Sequence, residues 1–182
     1  MGAALATGLV LATTDTQFTF IGASQVGYNV FTMVLGGAII SMVCQMGFFS
    51  YLIIRMIALG IIRSKRVWDL LQIFLIVLTL YETASLRYLN FTEGLPLFRY
   101  FMLPLVVLVV STIIAIWKMK LTNGNAFIPA LFFMIVASIL EAEPALKLDQ
   151  WASTLFMIVP VMCCNAWQLM ILPKVLADKR SA

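Results

Sequence analysis

The sequence predicts an all-α fold, a polytopic membrane helical bundle of six transmembrane helices with the first short or incomplete. Three observations carry this expectation. Only 11% of the 182 residues are charged, whereas a soluble domain uses about 25% to coat its surface. Hydrophobic residues make up 63%, and the mean hydropathy is +1.03. The apolar runs are continuous, without the alternation at every second residue that barrel strands require. Helices and closed barrels alone satisfy a backbone in hydrocarbon. Helices therefore follow, as one integral membrane domain over residues 1–182.

The first expected span covers residues 2–20. Its apolar opening, MGAALATGLVLAT, reaches roughly 20 Å as a helix, short of the roughly 30 Å hydrocarbon core. It is either a span continuing through Thr13 to Phe20 or a signal-like run without a basic start. Residues 28–54 form the strongest span, followed by 68–85. Residues 101–117 form the next, with Pro104 tolerated in its first turn. TNGNA then reads as a turn, leading into a short span over 126–140. The last span, 151–171, contains Pro160, which should kink it and free the Phe156 carbonyl. Pro173 should help to end it. The joins, such as RSKRV, are too short to hold a catalytic domain.

Basic residues orient these spans. Arg55, Arg63, Lys65, Arg66, Lys118, Lys120, Lys174, Lys179 and Arg180 fall on one side, against Arg87, Arg99 and Lys147 on the other. The positive-inside rule makes the first group cytoplasmic, with the C-terminus, and with the N-terminus too if there are six spans. The net charge of +4 is thus a matter of membrane orientation, with no nucleic-acid partner expected.

Within the spans a few polar residues stand out. Gly37, Ser41 and Gln45 recur at helical spacing, so small residues and a carboxamide share one stripe. Such a stripe permits close backbone approach and a hydrogen bond to a neighbouring helix. Depth counting makes Asn165 a candidate partner for Gln45. Gln72 and Gln168 fall in the same half of the spans, and Asn165 and Gln168 share a face. The group is either interhelical glue or a polar pocket for a lipid or small solute. The glue interpretation leaves the same amides available to a partner helix. Toward the opposite side Glu82, Arg87, Glu141 and Glu143 form a candidate outer polar cluster, more simply a solvated rim.

Chemistry is poorly provided for. The chain has no histidine, so a Ser or Cys nucleophile lacks its usual base and common metal sites lack their usual ligand. Cys44, Cys163 and Cys164 read as small buried apolar residues. No catalytic residue, metal or cofactor is expected.

Four stretches, VCQMGFFSYL, ALGIIRSKRVWDLLQ, TNGNAFIPALFFMIVASILEAEPAL and CNAWQLMIL, occur in an order that resembles the KbaA family, KinB-signalling pathway activation proteins of endospore-forming bacteria. The resemblance runs from about Tyr28 to Leu172. It implies a bacterial multi-pass cell-membrane protein that activates a KinB-like membrane sensor histidine kinase feeding the sporulation phosphorelay, with no reaction of its own. Helix–helix contact through the second and sixth spans would be the means, and the basic joins could meet anionic lipid or acidic kinase surfaces. A small-solute transporter or channel, or a membrane-embedded enzyme acting on lipid or cell-wall precursors, remains the alternative.

Overall fold

A backbone in hydrocarbon must pair its polar groups internally, and the computed structural model does so by winding into helices. It describes residues 2–3, 6–7, 10, 23–62, 64–90, 98–147 and 151–181. We label the helices α1 (Ala23–Ile61), α2 (Lys65–Asn90), α3 (Phe98–Leu121), α4 (Phe127–Phe132), α5 (Ser138–Leu146) and α6 (Trp151–Ser181). A 3-10 turn, Gly124–Ala126, precedes α4, and a π-helical segment, Phe133–Ala137, joins α4 to α5. Among the described residues five stretches are long and apolar enough to cross a membrane: Val30–Ile61, Lys65–Leu86, Phe101–Leu121, Gly124–Leu146 and Ser153–Pro173. The expected first span, 2–20, lies mostly outside the described residues. Gly2, Ala3, Ala6, Thr7 and Val10 within it are helical.

The joins follow from local chemistry. The Ile62 N–H bonds to Ala58 O and the Trp68 N–H to Ser64 O, so α1 closes and α2 opens across a tight join. Lys118 and Lys120 occupy the last turn of α3, where cations suit the negative end of the helix dipole. Thr122 N–H closes that turn on Lys118 O at 3.1 Å. The expected turn at TNGNA is thus present, and Pro129 sits early in α4, where its missing N–H costs little.

The stretch Gly124–Leu146 is the most buried of the five. α4 packs on α2 and α3, whereas α5 packs along α6. The π segment between them carries the change of partners, because a widened turn rotates everything that follows it. Its own residues Phe133, Met134 and Ile135 are fully buried. Phe133 stacks edge-on to Phe48 of α1 with ring centroids 5.4 Å apart, and Tyr51 lies 5.2 Å from the same ring. The Tyr51 hydroxyl donates to Pro129 O at 3.3 Å. Outward positions carry large apolar side chains, among them Leu35, Met46, Phe74, Leu105 and Trp117. Exposed apolar surface on this scale fits a protein solvated by lipid.

Two proline expectations need correction. α3 begins at Phe98, so Pro104 lies inside the helix, beyond its first turn. α6 does not stop at Pro173 but runs through both Pro160 and Pro173 to Ser181. Pro173 has no N–H for the carbonyl four residues earlier, that of Leu169. The buried Lys118 of α3 supplies the missing donor, its Nζ bonding Leu169 O at 2.5 Å. A cation from a neighbouring helix thereby lets α6 continue.

Candidate functional site

The densest polar contacts lie where α1, α5 and α6 meet. Asn165 is fully buried. Its Nδ2 donates to Ser138 Oγ at 3.1 Å and to Glu141 Oε2 at 2.9 Å. Glu141 stands about one and a half turns inside Leu146. Helical side chains lean toward their own N-terminus, which carries this carboxylate further into the bundle. α1 closes the site with Gly47, where a Cβ would collide with Glu141 Oε1. Cys44, one turn before Gly47, is buried with Ile40 and Val161, and Cys164 packs on that group.

This centre holds more acceptors than donors. Glu141 Oε1, Asn165 Oδ1 and Gln168 Oε1 are buried without a hydrogen-bond partner. Both Nδ2 bonds of Asn165 are already committed. Burying such groups unpaired is costly. What the arrangement does chemically is join three helices and accept further hydrogen bonds. Among the described residues no group of His, Cys, Asp or Glu is arranged to hold a metal.

The sequence-derived stripe is split. Gly37 is buried and Ser41 half-buried on the inner face of α1, but Gln45 is exposed on the outer face. The expected pairing of Gln45 with Asn165 does not form. The inner face passes through Cys44 and Phe48, and Gln45 is turned about 100° from Cys44. Exposed Met42, Met46 and Phe49 surround it on the outside of the helix. Gln72 is fully buried in α2 with both ends of its carboxamide unpartnered. Gln168 donates within its own helix to Cys164 Sγ at 3.6 Å. Cys44 is buried as expected, but Cys163 is exposed and Cys164 half-buried.

The outer cluster is divided as well. Glu143 pairs with Lys147 at 2.8 Å on a half-exposed rim, the kind of contact worth little. Glu82 is exposed on α2. Arg87 lies in α2, its side chain outside the described set. Glu141 leaves this rim and turns inward, opposite to Glu143. The charge count that put it outside stopped the span at the first carboxylate. Gly47 on the Cys44 face was the available signal that something bulky must fit against α1 there.

At the other end, where the basic residues gather, the helix ends line a half-open cavity of about 390 Å³. Arg55 and Lys65 line it, with Trp68, Asp69, Lys118 and Asn125. Arg66 is exposed nearby, and Arg63 lies outside the described residues.

Comparison with known proteins bears on this arrangement. The family model described as "KbaA: KinB-signalling pathway activation in sporulation" matches residues 1–175, which extends the resemblance seen over 28–172 to the start of the chain. The KinB-signaling pathway activation protein of Bacillus subtilis (strain 168) is 37% identical over 158 residues, covering 86% of this chain and 80% of that protein. No solved structure matches.

Proposed function

The chain belongs to the KbaA family, and from this premise we propose that it is a non-enzymatic, multi-pass membrane activator of a KinB-like sensor histidine kinase in sporulation. Its means is helix–helix contact in the bilayer. The family description and the relative's name supply the pathway; the helical bundle supplies a physical route to it.

The observation that carries the contact is the orientation of Gln45. A carboxamide exposed on the outside of a membrane span has no water to solvate it, and an unsatisfied polar group in hydrocarbon costs several kcal/mol. Among the described residues Gln45 has no hydrogen-bond partner, and Met42, Met46 and Phe49 flank it. A polar residue on a partner helix would satisfy the amide while the flanking side chains pack. An activator that binds the active form of the kinase better than the inactive one shifts its population. The interior centre around Asn165 then holds α1 in the orientation that presents Gln45.

The basic end is cytoplasmic in this proposal, supported by the positive-inside count. The inward Glu141 and the rim-bound Glu143 point apart, which supports a role without acid–base catalysis, since such catalysis needs convergent carboxyls. The test is co-purification of the kinase with the full chain from native membranes, comparing wild type with Gln45→Leu, alongside spore counts. Reduced kinase recovery and fewer spores are expected. Wild-type values for both would remove Gln45 and its face of α1 from the mechanism.

A further inference from the structure

The cavity at the basic end has a chemistry that the interior centre does not share. All five spans contribute: Tyr51, Arg55 and Leu59 from α1, Trp68 from the first turn of α2, Lys118 from α3, Pro129 from α4, and Leu172 from α6. Its volume of about 390 Å³ lies within the roughly 300–1,000 Å³ of ligand sites. Apolar side chains and charged ones share its wall.

Two neighbouring polar atoms in that wall lack partners, and they are of opposite kinds. Trp68 is 6% exposed, and its Nε1 is a buried donor with no acceptor. Asp69 Oδ1 is a buried acceptor with no donor. An indole N–H can only donate, and an ionised carboxylate can only accept. They cannot both be satisfied by one simple anion. Arg55 and Lys65 add positive charge to the lining, and Lys118 adds a third cation already engaged with Leu169 O.

The complement of this set joins an anionic acceptor to a hydrogen-bond donor, and a cationic N–H is the strongest donor to a carboxylate. Basic pockets between membrane helices on the cytoplasmic side suit phosphate headgroups in general. The Asp69 acceptor narrows the class. A glycerol headgroup offers a phosphate and hydroxyl donors but no cation to offset the Asp69 charge. A choline headgroup offers a phosphate and a cation, but the cation has no N–H. An ethanolamine headgroup offers both, since its ammonium carries three donors.

We propose that the basic-end cavity is a headgroup site for an ethanolamine phospholipid. The phosphate lies against Arg55, Lys65 and Trp68 Nε1, and the ammonium against Asp69 Oδ1. The apolar wall formed by Phe48, Leu52, Leu59 and Leu172 takes the glycerol and the first methylenes. The site is independent of the Gln45 contact, and the two fail separately.

The experiment uses the full chain in nanodiscs made from equal parts of ethanolamine, glycerol and choline phospholipids with identical acyl chains. Lipid retained through graded delipidation is counted by native mass spectrometry. At least a threefold excess of ethanolamine lipid over each of the others is expected for the wild type. Asp69→Asn removes the ammonium's counter-charge and should turn the preference toward the glycerol lipid. Trp68→Phe and Arg55→Gln weaken the phosphate contacts common to all three lipids and should lower total lipid retention. Equal retention of the three lipids by the wild type overturns the proposal, as does an unchanged preference in Asp69→Asn. Displacement of the lipid by free phosphoethanolamine at equal concentration would assign the site to soluble phosphate esters and overturn the lipid assignment. The wild-type preference decides the matter even if a variant fails to fold.

Discussion

The Asn165 carboxamide reaches the Glu141 carboxylate at 2.9 Å across the interface between α5 and α6, and the same nitrogen also holds Ser138. One side chain thus serves two residues of the neighbouring helix. Interhelical hydrogen bonds in membranes average about 0.6 kcal/mol and reach about 1.7. Asn165→Leu should cost about 1–2 kcal/mol, because it also strands the carboxylate. Thermal unfolding in detergent measures this as a lower midpoint. An unchanged midpoint would mean that the bond contributes nothing to the fold.

Gly47 and Glu141 should behave as a coupled pair. A methyl group at Gly47 displaces the Glu141 carboxylate and so breaks its contact with Asn165. Gly47→Ala alone should therefore destabilise by about 1 kcal/mol or more. In a Glu141→Ala background, where the obstructing side chain is gone, the same change should cost almost nothing. Stability measurements on the four proteins of the cycle give the coupling directly. Additive effects would show that Glu141 does not occupy the space Gly47 leaves.

Lys118 and Pro173 allow a second cycle of a different kind. Lys118→Met removes the donor from Leu169 O, and a buried carbonyl left unpaired costs about 1–3 kcal/mol. Pro173→Ala restores an N–H at the position from which a helix normally supplies that carbonyl. The double variant should recover much of the loss seen with Lys118→Met alone. Equal destabilisation by Lys118→Met in both backgrounds, read by thermal unfolding, would separate the lysine from the proline.

Gln45→Leu and Asn165→Leu should fail in opposite ways. Asn165 is buried within the bundle and Gln45 faces outward. Asn165→Leu is expected to lower stability and, through it, protein level in the membrane. Gln45→Leu should leave the unfolding midpoint unchanged while reducing kinase recovery. A fall in stability with Gln45→Leu would show that its partner lies within this chain.

Sequence reasoning located the five described spans because long apolar runs leave little choice in a bilayer. It erred by a few residues at their ends, since helices such as α1, 39 residues long, continue well past the apolar core. The polar residues were recognised, but their faces were not. α1 is apolar on every side, so nothing periodic in the sequence says whether Cys44 or Gln45 turns inward. Glu141 was assigned to the rim because it ends the apolar run of 126–140, whereas the helix continues to Leu146. The role of Lys118 was hidden for another reason. Pro173 announces an orphan carbonyl at Leu169, but which neighbouring helix supplies the donor is a fact of packing.

The distance along the chain between Glu141 and Asn165 sets an order on biogenesis. The carboxylate is synthesised 24 residues before its donor, so a nascent chain halted between them leaves a polar oxygen pair stranded among greasy neighbours. Arrival of the final helix brings a donor to one of the two, Oε2. Completion of α6 therefore acts as the latch on the helices made before it.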